Sequence, residues 1–153
     1  FSGKKRIMLI VIALLLILVA SFFLYRWYQH SFFQKYGYET LYEREPKSIS
    51  ISYSGDTLQL DERTKPCYPN FFYLFDADFV TPFHKRFERD EDRCITVSVQ
   101  DIVEIYVYPY GEKDSVAVMK VKGKQEKVYH SVTPFSIYLL ELEQAKRYIS
   151  GLE

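Results

Sequence analysis

The 153-residue chain predicts an α+β protein, with one membrane-spanning helix followed by a small antiparallel β-rich domain. Three observations predict it. The eighteen residues Ile7 to Leu24, IMLIVIALLLILVASFFL, carry no charge and one hydroxyl, on Ser21. Several segments between Ser48 and Val132 alternate apolar and polar side chains with the period of a half-buried strand. From Thr133 onward, apolar residues recur at helical spacing.

At 1.5 Å per residue the apolar run comes close to crossing a hydrocarbon core about 30 Å thick. Lys4, Lys5 and Arg6 precede it, and Tyr25, Arg26, Trp27 and Tyr28 follow it, an aromatic and basic mix suited to a membrane–water interface. A buried core helix would be shorter and would show a polar face. A cleavable signal peptide fits only in part. Ala20 and Ser21 are small, but Leu18 is not, and Phe22, Phe23 and Leu24 continue the apolar series past any cut. Position 21 is Ser rather than Cys, so no lipid anchor is indicated. The segment reads as an uncleaved signal anchor, with Ile7, Leu14, Leu18, Leu24 and Trp27 against lipid. Phe1 is not expected to be the translation start.

The first thirty residues hold Lys4, Lys5, Arg6 and Arg26 and no acid, leaving 16 basic and 20 acidic residues, a formal charge of −4, in the remainder. The positive-inside rule then predicts a cytoplasmic N-terminus and an extracytoplasmic, periplasmic-type domain anchored in the cell (inner) membrane. Cys67 and Cys94 form an even pair with no CxxC. In an exported domain they read as one disulfide worth about 3–4 kcal/mol, the alternative being two separate buried thiols.

The expected organisation is a basic flank and anchor over residues 1–30, a juxtamembrane segment and linker over 31–46, and the α+β domain over 47–153. Phe22 to Lys35 lacks Pro and Gly, so the anchor helix should continue beyond the bilayer, with Gly37 as its stop. Glu39 to Pro46 reads as a short polar linker that keeps the domain near the membrane. Ser48 to Tyr53 and Thr57 to Leu60 alternate around Ser54-Gly55-Asp56, a hairpin with Leu58 and Leu60 inward.

A Pro-broken loop over 63–70 carries Cys67, and the densest aromatic stretch follows: Phe71, Phe72, Tyr73, Phe75, Phe79, Phe83 and Phe87. A helical insert is expected from Thr81 as N-cap, with Pro82 in the first position, to about Asp92, burying Phe83 and Phe87. Phe71, Phe72, Tyr73, Phe75 and Phe79 are candidate partner-binding residues, the plainer account being core packing. Cys94 then opens a β-rich half. Its strands are Ile95–Val99, Ile102–Tyr110, Ser115–Val121 and Lys127–Val132, the second bulky on both faces. Thr133 and Pro134 should start a closing helix whose inner face is Phe135, Tyr138, Leu139, Leu142, Ile149 and Leu152.

No catalytic signature stands out. The chain has no G-x-S-x-G, H-E-x-x-H or P-loop, and its six glycines are scattered. His30, His84 and His130 have no partner at metal spacing. Asp76-x-Asp78 and Asp90-x-Asp92 are too sparse for calcium loops and read as solvated turns or helix ends. Cys67 with His84 could be drawn as a thiol dyad, though Cys94 makes a disulfide the better account. Lys120, Lys122, Lys124 and Lys127 could touch anionic headgroups, or simply protect a strand edge from aggregation. The acidic domain, with its charges interspersed, is not expected to bind nucleic acid.

The element order resembles that of pleckstrin-homology-like rolls, a small curled sheet capped by a C-terminal helix. No motif residue carries that resemblance further. The expectation is a non-enzymatic, single-pass protein that needs no cofactor or metal. It would bind another membrane or extracytoplasmic protein as an accessory subunit of an envelope complex. The alternative is a membrane-anchored immunity protein that neutralises a toxin at the outer face.

Overall fold

The computed structural model describes residues 2–152, except for the side chain of Leu152, which the sequence places on the inner face of the last helix. Helix α1 (Gly3–Gln34) is capped by Ser2, whose hydroxyl accepts the Lys5 amide at 3.4 Å. It runs on through one π turn (Lys35–Glu39) into α2 (Thr40–Glu43). Over the apolar run the helix is exposed all round, consistent with lipid as its solvent, and only its last residues, Phe22 and Phe23, come near the sheet domain, beside Val80 and Pro82. This is a single helix long and apolar enough to span a membrane.

Gly37 does not stop the helix. A side chain there would meet Met119, Phe33 and the Phe75 carbonyl at 3.5 Å, so the glycine lets the backbone press against the domain. Phe33, Gly37 and Leu41 are all buried and recur every four residues on one face. The π turn leaves the Lys35 carbonyl over, and the Thr40 hydroxyl donates to it at 2.6 Å. The expected linker is correspondingly short. Thr40–Glu43 is helical, and only Arg44 and Glu45 separate it from the 3₁₀ turn Pro46–Ser48. The Lys65 ammonium donates to the Tyr42 and Arg44 carbonyls and so closes the helix C-terminus.

Seven strands follow: β1 (Ile49–Tyr53), β2 (Asp56–Gln59), β3 (Val80–Pro82), β4 (Ile95–Val99), β5 (Val103–Tyr110), β6 (Asp114–Val121) and β7 (Lys127–Ser131). They make one open antiparallel sheet in the order β2-β1-β4-β5-β6-β7-β3. The β1–β2 hairpin turns through Ser54 (φ 53°) and Gly55 (φ 85°), the left-handed pair that a two-residue hairpin loop requires. One sheet face buries Ile49, Ile51, Val97, Val99, Ile105, Val107 and Met119. Against it pack the end of α1, the short α3 (Pro69–Tyr73) and α4 (Phe135–Leu152). The architecture is therefore α+β, with helices gathered on one side of the sheet and α4 as its cap.

Helix α4 begins at Phe135, just after Pro134, and buries Phe135, Tyr138, Leu142 and Ala145, with Leu139 and Ile149 half-buried. Its entry is fixed by buried polar groups. The Ser115 hydroxyl donates to the Thr133 carbonyl, Thr133 N–H donates to Ser131 Oγ at 3.2 Å, and the hydroxyls of Ser131 and Tyr138 lie 3.1 Å apart.

The expected helix over 81–92 is absent. Val80–Pro82 is instead the edge strand β3, paired with β7 at Val80–Ser131, Thr81–His130 and Pro82–Tyr129. An edge strand tolerates proline because one side of it needs no amide donor. Beyond it, residues 83–93 cross the second sheet face, where Phe83 and Phe87 cover Tyr108, Tyr110, Val116 and Val118. The helical character of the insert lies earlier, in Lys65–Cys67, α3 and Ala77–Phe79. The insert thus leaves β2, packs under the helices, pairs at the β7 edge, and returns over the opposite face to β4.

If Gly37 is a packing contact, its two substitutions should diverge. Gly37→Ala places its Cβ at ordinary contact distance and should stabilise by up to about 1 kcal/mol through helix propensity. Gly37→Leu should cost about 1–3 kcal/mol by overpacking. Thermal melts of the detergent-solubilised variants distinguish the two.

Candidate functional site

The five candidate partner-binding residues separate into two groups. Phe71, Phe72 and Phe75 are fully buried; the Phe71 and Phe75 rings meet each other and Tyr138 edge-on, and Phe72 lies tilted against Phe71. They hold α3 to α4 and are core. Tyr73 is 53% exposed, and Phe79 is half-buried with its ring centroid 5.6 Å from that of Tyr73. Four-residue arithmetic cannot separate the groups, because α3 is only five residues long and turns one of its aromatic rings outward.

Two residues that the sequence reading passed over complete a surface with Tyr73. The ring of Tyr38 lies 6.2 Å from Tyr73, edge to face, and stacks on Tyr42 at 5.8 Å. Tyr42 is 64% exposed. Tyr42, Tyr38, Tyr73 and Phe79 therefore form a continuous aromatic row, half on the helix that carries the anchor and half on the insert. The available signal was the i, i+4 spacing of Tyr38 and Tyr42, hidden by reading Gly37 as a helix stop. Exposed glutamates, Glu39 and Glu43, flank the row. A rigid apolar strip with phenol hydroxyls and an acidic border can bury area at small entropic cost.

The expected disulfide is absent, and the fold explains why. Cys67 sits in the 3₁₀ turn against the helix-side core, its Sγ 3.9 Å from the Arg63 carbonyl. Cys94 precedes β4 on the opposite face, beside Tyr108, with its Sγ 3.8 Å from Thr96 Oγ1. The insert wraps the sheet edge between them, so both thiols are free. Burial raises the Cys94 thiol above its ordinary value, which keeps it protonated and slow to react. A Cys67–His84 dyad fails too, since His84 faces Tyr25 at 3.2 Å.

The remaining titratable groups serve local structure. Asp76 and Asp90 each accept the amide two residues on, at 2.9 and 3.1 Å, the Asx turns of a solvated chain. His30 contacts Asp78 at 3.1 Å and His130 contacts Asp114 at 3.2 Å. Tyr106 donates to Glu104 at 2.5 Å, and that bond, with partial burial and the neighbouring charge, pushes its phenol up to about 12. Among the described residues, no three His, Cys, Asp or Glu side chains converge as a metal site would need. The anchor residues Ile7, Leu14, Leu18, Leu24 and Trp27 are all exposed on α1.

Fold and surface together define a class, an α+β sheet domain carried rigidly on a single apolar helix. Comparison with family models, curated proteins and solved structures finds no match to the chain.

The separation of the cysteines predicts a direct chemical result. Protein purified without reductant and then denatured should give two thiols per chain with a thiol reagent. A value near zero would mean the insert does not wrap the sheet edge.

Proposed function

We propose that this is a single-pass, membrane-anchored, non-enzymatic protein that binds another membrane protein, as an accessory subunit of an envelope complex. The N-terminus is cytoplasmic in this reading and the sheet domain lies outside. With the disulfide gone, that orientation rests on the Lys4-Lys5-Arg6 cluster alone.

The observation that carries the reading is the aromatic row on the anchor's own helix. At 1.5 Å per residue, Tyr38 and Tyr42 stand about 20–27 Å beyond Leu24. Since α1, the π turn and α2 form one helix seated in the core, the height and bearing of the row above the bilayer are fixed. A soluble partner gains nothing from a fixed height, but a partner embedded in the same membrane does, because docking then requires only lateral diffusion. Tyrosine is also among the residues that dominate interface energetics.

A photoreactive amino acid at Tyr73 or Tyr42, introduced in the full chain in cells, tests this. One discrete adduct with an integral membrane protein is expected from both positions, and none from Ser54 at the far hairpin. No adduct from either tyrosine would contradict the proposal. An adduct formed only when a soluble toxin is supplied would replace the subunit reading with the immunity one.

A further inference from the structure

We propose that the groove between α1 and the β6–β7 hairpin binds the phosphate headgroup of an anionic lipid from the surrounding bilayer. The groove has a volume of about 650 Å³. Tyr25, Tyr28 and Phe32 line it from the helix, His84 from the segment after β3, and Lys124 and Lys127 from the hairpin. Its position comes from the sequence. Tyr25 is the first residue beyond the apolar run, and Phe32 lies about 10 Å further along the helix axis. The polar zone of one leaflet is about 5–8 Å deep, so the Tyr25–Tyr28 end of the groove, with Lys127, opens at headgroup level, and the Phe32 end, with Lys124, stands just above it.

Its charge is positive and uncommitted. Lys127 Nζ rests 4.7 Å from the Tyr28 ring centroid and 4.4 Å from that of Phe32, with Gln29 Oε1 at 3.4 Å. Lys124 Nζ lies 5.4 Å from the Phe32 ring and 5.3 Å from the Tyr36 ring. Among the described residues, neither ammonium has a carboxylate within salt-bridge distance. The one acid on the groove wall, Glu126, is held by Arg89 at 2.8 Å. Two ammonium groups set on aromatic faces supply what a phosphate diester takes, localised positive charge and several N–H donors, while the Tyr25 hydroxyl and His84 Nε2, 3.2 Å apart, pair with each other on the groove wall. The aromatic floor meanwhile faces the acyl–glycerol boundary. The other two lysines of the hairpin are placed differently. Lys120 lies across β5–β6 from Glu104 with its Nζ 5.1 Å from the Tyr106 ring, and Lys122 projects outside the groove.

The proposal rests on α1 lying in a bilayer but not on any protein partner. Its test uses the full chain in nanodiscs of phosphatidylcholine with a minority of phosphatidylglycerol, followed by native mass spectrometry of the lipids retained. Phosphatidylglycerol should be enriched on the unmodified chain and on K120Q/K122Q. The enrichment should fall about fivefold for each lysine removed in K124Q and K124Q/K127Q. Since K120Q/K122Q carries the same charge change on the same hairpin, an equal loss there would overturn the groove in favour of general surface attraction. No enrichment at all would also overturn it, while leaving the anchor intact. Failure of the chain to enter the discs would remove the anchor and the lipid site together. Displacement of the retained lipid by inorganic phosphate in modest excess would assign the groove to a free anion instead.

Discussion

The seat of the anchor helix in the sheet domain is the contact on which the rest of the molecule depends. A transmembrane helix followed by a flexible linker would leave the domain free to rotate and tilt. Here the helix passes through its π turn with Phe33, Gly37 and Leu41 pressed on the strand face, and its C-terminal carbonyls are taken by Lys65. Burying these residues joins the hydrophobic core to the bilayer anchor. In the proposed membrane setting, the same contact brings Lys127 to the headgroup layer and sets the tyrosine row at a fixed height above it.

The second constraint is that the sheet has two faces to cover and only one set of helices. The helices take the face of Ile105, Val107 and Met119, leaving Tyr108, Val116 and Val118 open on the other. Residues 83–93 cover that second face without regular structure, held by Phe83 and Phe87. Their charged sequence, FHKRFERDEDR, has few apolar positions, so two phenyl rings anchor the segment and the remaining side chains stay in water. The path from one face to the other passes the β7 edge, and β3 pairs there, covering β7 and leaving a three-residue, proline-ended strand as the sheet edge.

Much of this was legible in the sequence, for a common physical reason. The apolar run, the alternating strands β1, β2 and β4, the two-sided apolar strands β5 and β6 with β7 beside them, and the amphipathic α4 are each decided by local pattern within a dozen residues. The misreadings are all decided at long range. Gly37 satisfies a local helix-stop rule, but its role is set by Met119, 82 residues on. Thr81-Pro82-Phe83 matches a helix start, yet the unpaired edge of β7 claimed it as a strand. The even cysteine pair suggested a disulfide, and only the path of the insert puts the two thiols on opposite faces. Composition likewise marked 71–79 as the aromatic centre without showing that Phe71, Phe72 and Phe75 turn inward while Tyr73 meets Tyr38.

The central claim, that the anchor and the domain are one rigid body, is tested most directly by hydrogen exchange on the full chain in lipid nanodiscs. The amides of Tyr36 to Glu43 lie about 18 Å or more beyond Leu24, too far for the hydrocarbon to shield them. Without packing against the sheet this end of the helix would fray, and its hydrogen bonds would give little lasting protection. The account predicts protection there comparable to that of β5 and β6, lost only with them on global unfolding. Exchange of these amides at loop-like rates, while β5 and β6 remain protected, would show a hinge where the structure has a seated helix and would contradict it.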